Sequence, residues 1–495
     1  MKVEAVGIDL GTTFSALALI GTDGQAHPIL NAENATATPS VVIWREGAFL
    51  VGQPALDLVQ QAGGDERNRL SAALIRGVKR MMGNPPTSGL FSNGRRTTPI
   101  EVSSAILAKL ARDASARVGF TVKDAVITVP AHFGDKERNA TREAAEMTGL
   151  HVLQMLNEPS AAALTYTHGQ QVQQGTALVF DLGGGTFDAT ILQLNEHGAK
   201  VLATKGIEEL GGINFTNTLA GALRRRYETE TNTPYPKDSA SNDHLIIIAE
   251  ATKCQLSQIT ATTVRLAPAQ GPAITLEITR QYFESLIRLL LLQLQIAVEQ
   301  AVERAGKTVS EIDRVLLCGG SSRIPAVQKM LASFFGRSPE STLDLDLSVA
   351  LGAAYQAAAY KEDPTTHIPA LQLIAEEGLV IDCVSYPVGI AVRNTQGETI
   401  KLIMLRPGDQ LDTWSQPFPV RIFGTASSFP PIDVYSGEGA QLNAKDYLGA
   451  ITIALPPDTP NGARGTVMIR QDQSGIVQVQ IDVEGKNVPG ILNRV

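Results

Sequence analysis

Apolar positions fall into two textures along the chain. Through residue 362, short aliphatic runs alternate with longer stretches of helical periodicity. The runs at 125–129, 177–181 and 314–318 each end in turn residues and lead into a helix-like segment, the signature of an α/β domain. Residues 3–10 read as an opening strand, and helices are expected over 134–148, 244–257, 281–305, 324–335 and 348–360. Past residue 360 the pattern changes. The stretch 361–369 is polar and carries Pro364 and Pro369, so it reads as a boundary. From residue 382 the chain becomes short alternating runs, at 387–392, 400–405, 451–455, 466–470 and 476–483, set between Gly and Pro turns. That texture predicts an all-β module. The expected division is 1–362, a connecting segment 363–382, and 383–495.

Composition narrows the class. The 495 residues hold 42 Lys and Arg against 50 Asp and Glu, a net charge of −8, and 43% of them are hydrophobic. Such a chain builds large cores as a soluble protein, and its acidity argues against nucleic-acid binding. The most apolar run, 286–298, is interrupted by Arg288, Gln293 and Gln295 and is too short to span a bilayer, so a buried helix and no membrane association are expected. Cys254, Cys318 and Cys383 are far apart and odd in number, and none has a partner at metal-ligand spacing. They suit a reducing, cytoplasmic compartment.

One short motif occurs twice. Asp9-Leu10-Gly11-Thr12-Thr13-Phe14 returns as Asp181-Leu182-Gly183-Gly184-Gly185-Thr186-Phe187-Asp188, each copy between two apolar strands. The repetition suggests a duplicated fold with a cleft between its halves. An acid at a strand end before a Gly/Thr hairpin suits a nucleoside triphosphate. Glycine lets backbone N–H groups approach phosphate closely, and threonine hydroxyls add donors. A carboxylate beside phosphate makes sense only with Mg²⁺ between them, through water. Two facing copies would grip the β- and γ-phosphates from both sides. A P-loop is not met at Gly306-Lys307-Thr308, because Ala301 replaces the first glycine and a helix precedes it; a helix-ending turn is expected there. Nor is a dinucleotide fingerprint met around Gly185, where Asp188 takes the place of the third glycine. A further turn, Cys318-Gly319-Gly320-Ser321-Ser322-Arg323, follows a strand and could let a base or ribose approach the backbone.

Together these residues resemble the seventy-kilodalton heat-shock chaperone family. The matches run in order: Gly7 to Thr13, Val78-Lys79-Arg80, Ile127-Thr128-Val129-Pro130-Ala131, Asn157-Glu158-Pro159-Ser160-Ala161-Ala162-Ala163, Asp181 to Asp188, and Gly319 to Pro325. The resemblance implies an α/β actin-like ATPase domain of two lobes followed by an all-β sandwich that binds unfolded or extended peptide. It implies ATP or ADP with Mg²⁺ as cofactors, and a catalytic set of Lys79, Glu158, Asp181 and Thr186. Asp9, Asp181 and Asp188 would surround the metal through water. Gly11, Thr12, Thr13, Phe14, Gly183, Gly184, Gly185, Gly211 and Gly212 would lie along the phosphates. Glu250, Lys253, Cys254, Ser257, Gly319, Gly320, Ser321, Arg323 and Asp346 would lie on the adenosine side. Glu250, Lys253 and Ser257 share a helix face by spacing. Lys79 would reach the γ-phosphate and the attacking water; taken alone, Lys79-Arg80 also reads as a solvated pair.

The chain departs from the family at Cys254, where an Arg usually stacks on adenine, at Gly211 to Thr216, which lacks the family's acids, and between Lys79 and Pro130, which is shorter. Gly378-Leu379-Val380-Ile381-Asp382 resembles the apolar linker that docks in one nucleotide state. The β module matches more loosely, and Pro430-Pro431 stands where apolar strand residues are usual, so no peptide-pocket residue is assigned. The sequence ends at Val495, where the family's helical lid would begin, and a lid-less member with faster peptide release is expected. Gln154 stands where many members carry an Arg for a J-domain co-chaperone, while Asn157, Ser160 and Asp382 keep that surface. A nucleotide exchange factor is a further expected partner, and a monomer the expected state. Other readings stand beside this one: an ATP-binding regulator with little hydrolysis, and a sugar kinase or a cytoskeletal actin-like filament protein of the same fold, neither of which has a use for a β module.

Overall fold

A computed structural model describes residues 4–84, 90–169, 174–195, 198–268, 270–340, 344–360, 380–393, 396–422, 431–437, 439, 441–453, 459–460 and 462–494. The duplicated motif becomes two sheets built alike. In the first, the strands lie in the order His151–Asn157, Asp124–Val129, Ala5–Asp9, Phe14–Ile20 and Ala26–Pro28, with Ala37–Pro39 also on Phe14–Ile20. In the second the order is Arg314–Cys318, Gly175–Leu182, Phe187–Asn195, Gly198–Ile207 and Val380–Ile381. Each acid-bearing strand has one parallel and one antiparallel neighbour. Asp9 faces Thr128 and Ala16, and Asp181 faces Cys318 and Asp188. Val6, Ile8, Leu178 and Phe180 are wholly buried within these sheets.

The helices Glu158–Gly169 and Ser348–Ala359 lie where the two sheets meet, and their composition explains how. Ala161, Ala162, Ala163, Ala350, Ala353, Ala354, Ala357 and Ala358 join one core with Ala5, Ala16, Ala18, Ala177 and Val179. Small side chains allow close backbone approach. A Cβ on Gly352 would collide with the Ala161 backbone, and one on Gly7 with the backbone of Ala353 and Ala354.

The helix expected over 281–305 is two helices, Arg280–Leu286 and Arg288–Arg304, bent by 62°. Ile287 leaves helical geometry between them (φ −95°, ψ 4°) and is wholly buried with Phe283 and Leu294 in one core. The interrupted hydrogen-bond ladder accounts for the kink. Gly306 takes φ +65° just past Arg304, so Gly306-Lys307-Thr308 is the helix-ending turn expected.

Among the described residues the β module forms an eight-stranded sheet, in the order Thr399–Leu405, Val388–Arg393, Ile432–Ser436, Tyr447–Ile453, Lys486–Arg494, Val477–Val483, Ala463–Gln471 and Phe418–Ile422. The strand Lys486–Arg494 pairs in both halves. Val388, Ile390, Val434 and Ile451 from one half pack with Val467, Ile469, Ile481 and Val483 from the other. The expected runs fall on strands, apart from 454–455, which lies outside the described residues; Phe418–Ile422 and Ile432–Ser436, which alternate over only five residues, and Lys486–Arg494, which does not keep a period of two, were not foreseen. Pro430 lies outside the described residues.

This module is seated on the α/β part. Val380–Ile381 adds a parallel strand to the edge of Gly198–Ile207, pairing Ala199 with Val380. Ser160 Oγ donates to Asp382 at 2.7 Å. The turn before Val477–Val483 reaches across: Arg138 donates to Ser474 O at 3.0 Å and to Asn157 Oδ1 at 2.6 Å, and Ile476 is buried in the core of the first sheet. Arg494 Nε lies 2.7 Å from Asp135 Oδ2.

Candidate active site

The two hairpins face each other. A Cβ on Gly184 would strike the Thr13 hydroxyl, and one on Gly185 would meet Thr12 Cγ2 at 2.5 Å. The loops 11–13 and 183–185 are thus in contact, as a shared ligand requires. A third loop is stitched to them. Gly212 N donates to Gly183 O at 2.9 Å, and Ile213 N to Gly184 O at 2.8 Å. A Cβ on Gly211 would lie 2.7 Å from the Gly184 carbonyl. Arg80 closes the cluster, donating from Nε to Gly185 O at 2.8 Å and from Nη2 to Asn214 Oδ1 at 2.6 Å. Thr12 and Thr186 are buried, whereas the Phe14 ring is 55% exposed.

Beneath the loops lies a group of acids. Lys79, on the short 3₁₀ turn Val78–Met81, is 5% exposed and ion-paired to Glu158 at the start of the helix Glu158–Gly169. Its burial removes the reading of a solvated lysine. Burial works against its charge, but Glu158 and then Asp9 outweigh that and hold its pKa above the ordinary value. Burial, followed by repulsion from Glu158, pushes Asp9 up to about 7, with Lys79 and the Thr128 hydroxyl pulling the other way. Asp181 is raised well above the usual range by burial, then by Glu158, Asp188 and Asp9. Asp188 is 1% exposed and accepts from His132 Nδ1 at 3.0 Å.

Four buried or half-buried carboxylates therefore meet one lysine and one histidine. A donor set with that surplus of negative charge fits a hydrated divalent cation, whose field would let the acids ionise. Among the described residues no three His, Cys, Asp or Glu side chains stand close enough together to ligate an ion directly.

The adenosine-side residues form a neighbouring group. Lys253, on the helix Ser239–Gln258, is buried and donates to Gly212 O at 3.2 Å, Thr216 Oγ1 at 3.0 Å and Glu250 Oε2 at 2.7 Å. Cys254 Sγ lies 3.5 Å from Glu250 Oε1 and is exposed. The Ser257 hydroxyl turns back to Lys253 O at 3.3 Å. Ser321 donates to Gly183 O at 3.0 Å, and Arg323 pairs with Asp346 at 2.9 Å beside Gly320. Gly319 takes φ +73°, and a Cβ there would meet Asp181 Oδ1 at 2.7 Å, so this turn touches the acid group directly. Ser257, by contrast, turns back onto its own helix.

Arg80 and His132 stand out among the residues of this site to which the sequence assigns no role. Arg80 is adjacent to Lys79, but only the fold shows its reach to Gly185 and Asn214. His132 follows the Pro130-Ala131 match, and its contact with Asp188 comes from a strand distant in sequence. The proposed J-domain residues also have new neighbours: Gln154 donates to Gln473 O at 3.1 Å and accepts from Gln356 at 2.9 Å.

Comparison with known proteins gives the family. The sequence profile of a family described as Hsp70 protein matches residues 5–489. Chaperone protein DnaK of Thermotoga petrophila is 35% identical over 498 residues, covering 97% of this chain and 78% of that protein. Its counterpart in Deinococcus deserti is 35% identical over 499 residues, with 96% and 76% covered. The one in Thermosipho africanus is 35% identical over 497, with 97% and 77% covered.

Proposed function

Because this chain belongs to the Hsp70 family and is an ATP-dependent heat-shock chaperone, an ATPase that uses Mg²⁺, we propose that its two facing glycine loops hold the triphosphate between two actin-like lobes. The single observation carrying this reading is the contact between loops 11–13 and 183–185 above a surplus of buried acids. Thr12, Thr13 and Thr186 with the loop N–H groups bind phosphate oxygens. Asp9, Asp181 and Asp188 hold the hydrated metal, which neutralises charge on the phosphates when bound. Glu158 fixes the Lys79 ammonium, and Lys79 holds the γ-phosphate and the attacking water in line. Lys253, Glu250, Ser321, Arg323 and Asp346 form the adenosine wall. Positioning and charge neutralisation supply the catalysis, with no covalent step from the protein.

The β-sandwich, residues 383–495, takes extended peptide through main-chain hydrogen bonds. The Val380–Ile381 strand and the Ser160–Asp382 hydrogen bond are the contacts through which nucleotide state reaches it. A J-domain co-chaperone and an exchange factor act on the α/β part. Gln154, Asn157, Ser160 and Asp382 are buried with the sandwich seated, and the 472–475 turn lies against Gln154, so J-domain docking there competes with the seated sandwich. Three free cysteines suit a cytoplasmic site of action.

The test is single-turnover ATP hydrolysis with and without an unfolded peptide. Turnover that peptide alters and that Asp181→Ala abolishes is expected. Phosphate release indifferent to both peptide and Asp181 would overturn the assignment of the site.

A further inference from the structure

The helix Arg288–Arg304 buries one side and presents the other to solvent in an unusual way. Leu294, Ala297, Val298, Ala301 and Val302 are buried. On the opposite side Leu289, Leu292 and Ile296 are 76%, 52% and 44% exposed. At 3.6 residues per turn these three fall within about 60° of one another, a continuous apolar stripe two turns long. Single exposed apolar residues need no explanation, but a contiguous stripe on a soluble chain marks a contact surface.

The charges beside the stripe indicate what covers it. Arg288 and Glu299 are exposed and stand at opposite ends of the stripe. By helical geometry they fall within about 20° of each other, on the same flank. Gln295 Nε2 donates to Glu299 Oε1 at 3.0 Å and holds that carboxylate on the flank. A two-fold axis perpendicular to the helix and centred near residues 292 and 293 lays a second copy of the helix antiparallel on the first. It sets Leu289 against the partner's Ile296 and Leu292 against the partner's Leu292. The same operation brings each Arg288 to within about 3 Å, along the helix, of the level of the partner's Glu299 and on the same flank, a gap these long side chains span. The surface is therefore self-complementary in both shape and charge, the requirement for an isologous contact.

We propose that this face binds a second copy of the chain, an antiparallel homodimer across the helix Arg288–Arg304, in place of the monomer expected from the sequence. One helix face is smaller than the roughly 800 Å² per partner of a standard interface, so the dimer is weak and concentration-dependent.

Sedimentation velocity on the full chain across a concentration series tests this, with ATP turnover and melting temperature confirming that each variant folds. A reversible monomer–dimer equilibrium is expected. Leu289→Glu with Leu292→Glu should weaken it at least tenfold. Arg288→Glu alone and Glu299→Arg alone should each weaken it about two- to fivefold per exposed pair, and the double reversal should restore it, as a coupled pair demands. A chain that stays monomeric at every concentration, or a dimer indifferent to Leu292→Glu, overturns the proposal. So does a double reversal no better than the single ones. Monomeric protein that binds phosphatidylcholine–phosphatidylglycerol vesicles through the same leucines would also overturn it, and would assign the stripe to a lipid surface.

Discussion

The two glycine hairpins share a topology and differ in what stands across from the acid. Asp181 pairs in register with Asp188, whereas Asp9 pairs with Ala16. Like charges directly across two strands are destabilising, and the second hairpin carries that burden with His132 bound to Asp188. The first hairpin carries one acid, held by the Thr128 hydroxyl at 3.2 Å and faced by Lys79. The frame is shared and the charge is not: two acids face each other on the second hairpin, and the first sets one acid beside the buried Lys79 ammonium. On the reading proposed above, the second half gathers negative charge for a cation and the first brings Lys79 to the phosphates.

The sharpest test of that division removes the first half's cation. Lys79→Ala should reduce ATP turnover by about 10²–10³, the size of losing one preorganised charge donor, while nucleotide binding changes only a few-fold. Single-turnover hydrolysis and equilibrium binding measured together separate the two. Equal losses in both would mean that Lys79 merely holds nucleotide. The same change leaves Glu158 buried without its partner, so a drop in melting temperature is expected as well.

On the other side, Asp188→Ala should lower the apparent Mg²⁺ affinity about 10- to 100-fold, the usual cost of losing a group outside the direct ligands. Turnover at saturating Mg²⁺ should recover most of its value. A Mg²⁺ titration of turnover in which Asp188→Ala matches the parent curve would erase the asymmetry between the hairpins.

The glycines differ in the same spirit. A Cβ on Gly11 meets Phe14 O within its own turn, whereas one on Gly184 meets Thr13 of the opposite loop. Both Gly11→Ala and Gly184→Ala should weaken nucleotide binding, by about tenfold or more for a shift of one ångström or so. Only in Gly184→Ala should the accompanying loss of melting temperature be partly rescued by Thr13→Gly, because only there is the obstacle a side chain. Rescue of Gly11→Ala by that same change would show that the loops do not meet as described.

Much of this arrangement was legible in the sequence, and the limits have physical causes. The repeated acid-Gly-Thr motif marks both hairpins because tight turns and phosphate approach demand particular residue types in consecutive positions. Lys79 and Glu158 are readable only by resemblance, since a buried ion pair between residues far apart in sequence leaves no local pattern. His132 and Arg80 act through contacts made by strand pairing and loop packing, which spacing does not encode. The break at Ile287 escaped because both flanking segments are apolar with helical period, and it takes tertiary burial to decide where such a run bends. The strand Ile432–Ser436 escaped because its alternation lasts only five residues, and Lys486–Arg494 because Val488, Ile491 and Leu492 do not keep a period of two.

The smallest expected effect is a proton. Asp9 has a pKa of about 7 against an ordinary 3.8, raised first by burial and then by Glu158. A carboxyl raised in the fold keeps a proton that the unfolded chain has already released. Its contribution to stability is therefore full below about pH 4 and is lost as pH rises through about 7. A cation placed among the acids reverses this, because it stabilises the ionised form and drives the proton off. At about pH 6, binding of Mg²⁺ with ADP should release a large fraction of a proton from Asp9, and above about pH 8.5 almost none. Calorimetric titrations in two buffers of different ionisation heat measure that number directly. Asp9→Asn should abolish the release attributable to this group while leaving any contribution from Asp181. If Asp9→Asn leaves proton release at pH 6 unchanged, the first hairpin's acid is not the group that senses the metal, and the second hairpin supplies both the charge and the proton.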